Sequence, residues 1–202
     1  MLACMLASAA ALGGCRTAPA ATSPDTASTA TAAQESSMTA VATPITAEEI
    51  GRRVLKLIDS IRSARDLAPE HIAQQTGLEV ERNASDPHLY GFGGSLSEDW
   101  MYNLVSTPQK QGEAPTSLRF SFDDQTDGGN GDPAEICGLD FQDYRAALTA
   151  AGFDFKPMQG RRGIDAWYFT RGDVGVTAYT HGNADPAKGK ACISKLIISA
   201  YA

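Results

Sequence analysis

Ile164–Thr180 reads IDAWYFTRGDVGVTAYT. Two runs rich in aromatic and β-branched residues, IDAWYFT and VGVTAYT, flank Arg171-Gly172-Asp173-Val174. Such runs read as strands when turn residues bound them. Gly172 is free to take the positive φ that the first central position of a type II′ turn requires, so the stretch predicts a tight hairpin. Working outward, FDFKPM (Phe153–Met158) precedes it and CISKLIISAYA (Cys192–Ala202) follows it. Together they predict an antiparallel meander of about four strands.

The middle of the chain continues the theme. LYGFGG (Leu89–Gly94), WMYNLVS (Trp100–Ser106) and SLRFSF (Ser117–Phe122) stand between polar turns. In the last, Leu118, Phe120 and Phe122 alternate with Ser117, Arg119 and Ser121, the pattern of a strand with one face buried. The glycines of Gly91-Phe92-Gly93-Gly94 lack the Lys-Ser/Thr pair of a phosphate loop and suit a glycine-rich strand or bulge.

Helices precede both groups of strands. Thr46-Ala47-Glu48-Glu49 reads as a capping box, with Ile45 and Ile50 at the staple positions. Ile50, Val54, Leu57, Ile58 and Ile61 then form one apolar stripe, predicting a helix that ends near Ala64. Pro69 opens a second, short helix and Gly77 stops it. A third is predicted from Phe141 to Ala151, capped by Asp140 and stopped by Gly152. The fold class is therefore α+β: two N-terminal helices and one central helix on one face of an antiparallel sheet of about six or seven strands.

Residues 1–14 carry no charge and are mostly Ala, Leu and Met. The run is too short to span a bilayer, which needs about 20 residues, and it suits a secretory leader. From Arg16 to Pro44 there is no Leu, Ile, Phe, Tyr or Trp. Such a segment buries too little apolar surface to offset its ordering entropy. The chain thus divides into a signal peptide (1–14), a tether (15–44) and a single α+β domain (45–202).

Between leader and tether stands Leu12-Gly13-Gly14-Cys15. It resembles the lipobox of bacterial lipoproteins, whose cysteine is lipidated and becomes the new N-terminus. The resemblance implies that Cys15 carries the lipid anchor. With Arg16 rather than Asp after it, it also implies a place on the periplasmic face of the outer membrane.

The formal net charge is −7. That balance argues against nucleic-acid partners and a polybasic lipid surface, and suits a basic partner. Of four cysteines, Cys4 leaves with the leader and Cys15 takes lipid, leaving Cys137 and Cys192. In an exported domain an even remainder of two predicts one disulfide; two buried free thiols are the alternative.

Chemistry is sparse. His71, His88 and His181 fall in no metal-ligand spacing, and no GxSxG elbow is present. DDQTDGGNGDPAE, Asp123 to Glu135, misses the EF-hand pattern because position 12 is Ala134. No catalytic residue, metal or cofactor is therefore expected. The same segment reads as a flexible acidic loop following a strand or, more sharply, as a docking surface. Between Arg119 and Arg145 the chain has seven acidic residues and no basic one, a field that steers a basic partner. Asp123, Asp124, Asp127, Asp132 and Glu135 are the candidate contacts.

In overall plan the chain resembles the lipid-anchored immunity proteins that Xanthomonas-type bacteria pair with secreted antibacterial effectors: LGGC, an Ala/Thr/Ser/Pro tether, then one α+β domain with two cysteines. The resemblance implies a non-enzymatic periplasmic inhibitor of a cognate toxin. The alternative is a structural lipoprotein of outer-membrane assembly or envelope maintenance, with an envelope protein as partner.

Overall fold

Thr46 starts the first helix, α1 (Ala47–Ser60): its hydroxyl accepts the Glu49 amide at 3.1 Å. Only this half of the capping box forms, because the Glu49 carboxylate turns outward to Arg53 at 2.8 Å. The apolar stripe buries Ile50, Val54, Leu57 and Ile58. The helix stops at Ser60, four residues short of Ala64, and Ile61 is already extended. A 3-10 turn, Ala64–Leu67, takes over instead, stabilised by a reciprocal Ser63/Asp66 capping box. The Asp66 carboxyl is held below the usual range mainly by the Arg62 amide. Helix α2 (Pro69–Thr76) then runs from Pro69 to Gly77, which caps it with φ +68°.

The computed structural model describes residues 44–158, 166–181 and 190–201. Cys15, the leader and nearly all of the tether lie outside them, as do Ile164 and Asp165 of the opening stretch. The described residues fall within one compact unit.

Among the described residues eight strands follow: β1 (Glu81–Arg82), β2 (Tyr90–Ser95), β3 (Trp100–Pro108), β4 (Pro115–Asp124), β5 (Asp154–Met158), β6 (Ala166–Arg171), β7 (Val174–His181) and β8 (Cys192–Ala200). Helix α3 (Phe141–Ala150) lies between β4 and β5. The eighth strand, beyond the expected six or seven, is β1: two exposed residues carry no alternation to read. All pairings are antiparallel, in the order β1-β2-β3-β4-β8-β7-β6-β5. One arrangement, helix then four-stranded meander, thus occurs twice, and the two meanders join where β4 pairs with β8. Gly172 takes φ +56° at the β6–β7 turn.

The helices cover one face of the sheet. Along β3, Trp100, Tyr102, Leu104 and Ser106 are buried while their neighbours are half-exposed, the period of a one-sided strand. Phe120, Phe169, Val176, Leu196 and Ile198 extend that core across the sheet. Where α1 meets α3, a Cβ on Gly51 would lie 2.7 Å from the Tyr144 hydroxyl, so glycine is needed for the close crossing. Tyr144 is enclosed, and burial pushes its phenol up.

Arg171, on the flank of the opening hairpin, bonds both helix termini. Its guanidinium donates to Ile58 O, Asp59 O and Ile61 O at the end of α1, and to Ala151 O at the end of α3, at 2.7–3.3 Å. It also lies 4.3 Å over the Phe153 ring. A cation here satisfies terminal carbonyls and complements two helix dipoles.

Candidate functional site

The acidic segment begins where β4 ends. Asp123 and Asp124 occupy the last two positions of that strand, opposite Met101 and Trp100. Alternation turns Asp123 to the open face, where it accepts from Asn103 Nδ2 at 2.6 Å. Asp124 organises the loop that follows. Its carboxylate accepts from Thr126 N (2.8 Å), Thr126 Oγ1 (2.6 Å) and Gly131 N (2.8 Å). Thr126 Oγ1 in turn accepts from Asn130 N at 2.8 Å. These bonds favour the charged form, the Thr126 hydroxyl most, and hold the Asp124 carboxyl below the usual aspartate range.

The loop is therefore built around a carboxylate rather than left to mould itself. Gly131 shows how tightly: a Cβ there would sit 2.9 Å from Trp100 Nε1 and 3.0 Å from Asp124 Oδ2. Trp100, itself buried, donates Nε1 to Asp132 O at 3.1 Å and packs edge-on against His181 at 6.3 Å. Asp132 caps the 3-10 turn Pro133–Ile136, accepting from Ala134 N at 2.9 Å. Beyond it a disulfide joins Cys137 to Cys192, with Cα atoms 4.9 Å apart, and Phe141 N bonds Ala191 O at 2.8 Å. Disulfide and bridge tie the segment's far end to the first residues of β8.

The five candidate carboxylates accordingly divide. Asp123 and Asp124 are half-buried and committed to protein donors. Asp127, Asp132 and Glu135 are exposed. Among the described residues, neither Asp127 nor Glu135 has a cationic partner. The loop also gathers two acidic residues that the sequence reading passed over. Gln125 N bonds Asp99 O at 2.8 Å, bringing Glu98 and Asp99 of the β2–β3 turn beside it. The available signal was the pairing itself: a hairpin of β2 and β3 followed by one of β3 and β4 sets the first turn against the end of the fourth strand.

Other candidate chemistry resolves into structural roles. Ser60 Oγ and His71 Nε2 are 2.8 Å apart, but the hydroxyl donates to Leu57 O at 2.7 Å, so the pair pins α1 to α2. Among the described residues no group of three or more His, Cys, Asp or Glu side chains is placed to hold a metal ion, and no helix is long and apolar enough to cross a membrane. Compared with protein-family models, curated proteins and solved structures, the chain matches none.

What the arrangement offers is a rigid acidic rim. Two loops, the longer one ordered by Asp124 and joined to the other through Trp100 Nε1 and the Gln125 amide, present Glu98, Asp127, Asp132 and Glu135 to solvent. Their ordering cost is met within the fold, so a partner would meet a preformed surface.

Proposed function

We propose that this chain is a lipid-anchored periplasmic binding protein that neutralises a secreted antibacterial toxin, engaging a basic surface of that toxin with its acidic rim. The observation that carries the reading is the rim itself: exposed carboxylates without cationic partners among the described residues, on loops held by internal hydrogen bonds. Two further features support it. The Cys137–Cys192 disulfide suits an oxidising compartment, and LGGC ahead of an Ala/Thr/Ser/Pro stretch suits attachment at Cys15. Exposed charge of one sign raises association rates and rejects like-charged partners, which an inhibitor of a lethal enzyme needs.

The test is a growth competition. A deletion strain mixed with its parent is killed by contact, and expression of the full chain restores survival. A strain that survives contact but becomes permeable to large antibiotics when grown alone would refute immunity and favour envelope maintenance. Metabolic labelling with a fatty-acid analogue marks the wild-type chain and not Cys15→Ser; an unlabelled wild type would remove the anchor.

A further inference from the structure

The two outer edges of the sheet are unequal. β5 carries Asp154, Lys156 and Pro157. Charge and proline are the usual devices that stop an edge from recruiting another strand. α3 also packs near it, with Phe141 6.3 Å from Phe155 and Arg145 4.7 Å over the Phe155 ring. The opposite edge has only β1, two residues long, which pairs with Tyr90 and Gly91 and no further. From Phe92 to Ser95, β2 has a partner on the β3 side alone among the described residues.

The direction of the free groups follows from two bonds. Tyr90 N donates to Ser106 Oγ on β3, at 2.9 Å, so Tyr90 faces inward. Leu89 O accepts from Asn83 N, at 2.8 Å, so Leu89 faces outward. Successive residues alternate. Gly91, Gly93 and Ser95 therefore turn N–H and C=O away from β3; Gly91 meets β1, whereas Gly93 and Ser95 are exposed and, among the described residues, unmet. No proline or lysine guards them. Beside them a depression of about 710 Å3 is lined by Glu81, Arg82, Asn83, Gly91, Gly93 and Asn103 among others. It exists because Gly91 and Gly93 have no side chains. At Gly91 none fits, since a Cβ would run into the backbone carbonyl of Leu104.

The surroundings state the charge of the occupant. Glu79 and Glu81 lie at one end of the open stretch and Glu98 at the other, all exposed and without ion pairs among the described residues. Arg82, the one nearby cation on β1, is engaged by Glu70. A second copy of this acidic chain would be repelled. We infer that the β2 edge at Gly93–Ser95 is a strand-addition site that takes an extended, basic segment of a partner protein. Backbone bonds to Gly93 and Ser95 supply the pairing, and Glu79, Glu81 and Glu98 select for Lys or Arg. The inference rests on the reading of this chain as a binding protein, and it names how part of the partner is held.

The test needs no toxin, so its failure leaves the acidic rim standing on its own evidence. The full mature chain is titrated with a synthetic peptide alternating Lys and Val, followed by NMR and amide exchange. The Gly93 and Ser95 amides shift and gain protection. Ser95→Pro, which removes a solvent-facing N–H and no ladder bond, weakens binding about tenfold, while Ser95→Ala does not. Changing Glu79, Glu81 and Glu98 to Gln removes most of the salt dependence, and this variant carries the test if Ser95→Pro proves misfolded by circular dichroism. Shifts confined to other strands, equal binding of a peptide alternating Glu and Val, or no response of Gly93 and Ser95 would overturn the inference. Protection that appears with protein concentration alone would also overturn it, in favour of self-pairing.

Discussion

The two ends of the sheet each hold a charged centre, and they treat charge oppositely. Arg171 stands at the end where Val174 meets Ala200; Asp124 stands at the end where His181 meets Cys192. Arg171 is 18% exposed and directs its donors to four backbone carbonyls. Its salt bridge to Asp59, an exposed partner, adds little beside them. At the other end Asp124 collects donors in the same manner, yet its acidic neighbours face water. The lesson is that a charged residue declares its role by what has already claimed it. A cation enclosed by helix ends is architecture. Carboxylates left over on a loop that another carboxylate has ordered are available to a partner.

The disulfide gives the largest expected effect, and it belongs to the Asp124 end. Closing a loop across a separation of 55 residues stabilises by about 4 kcal/mol in the chain-entropy model. The paired Cys137→Ala, Cys192→Ala variant should lose about that much in urea unfolding. A loss under about 1 kcal/mol would show that the loop is held without it.

Arg171→Ala comes next. It takes one donor from each of four terminal carbonyls, of which Ile58 O, Asp59 O and Ile61 O keep another, and removes the stack on Phe153, for an expected loss of about 2 kcal/mol. Arg171→Lys should recover less than half, because a point charge cannot reach four carbonyls spread over two helices. If Lys restores full stability, the dipole alone matters and the contrast between the two ends weakens.

Asp124→Asn sharpens the comparison from the other side. The loop should loosen, seen as faster exchange of the Gly131 amide, while global unfolding changes little. Acid should do the same. The folded carboxyl titrates below its ordinary value of 3.8, so its contribution is full above that value and is lost as pH falls through the lower, folded one. Exchange of Gly131 should accelerate only in that acidic window. Acceleration near neutrality would assign the loop's order to another group.

Most of the fold was legible because its signals are local. The Gly172 turn, the alternation through Phe120, the Asp140 cap and the Gly77 stop each act within a few residues. Cysteine counting reached across the chain for the same reason that it is simple: two thiols in a folded domain leave one pairing. What stayed hidden depends on distance. Arg171 reads as a hairpin flank until α1 and α3 end beside it. Glu98 and Asp99 read as a turn until β3 pairs with β4. The five acidic candidates look equivalent in sequence, and only the hydrogen bonds to Asn103, Thr126 and Gly131 separate Asp123 and Asp124 from Asp127 and Glu135. β1 was missed because two residues carry no period.

The central claim is that the unengaged carboxylates, not the acidic segment as a whole, meet the partner. It is tested by association kinetics between the chain and a toxin against which it is found to protect the cell, at low and high salt. Asp127→Asn with Glu135→Gln should slow association about tenfold at low salt and little at high salt, with unfolding unchanged. Changing Asp123, Asp124, Asp127, Asp132 and Glu135 together should add weaker affinity, as the loop loses its order. Unchanged rates in both variants would contradict the account and leave the acidic end a solvated surface.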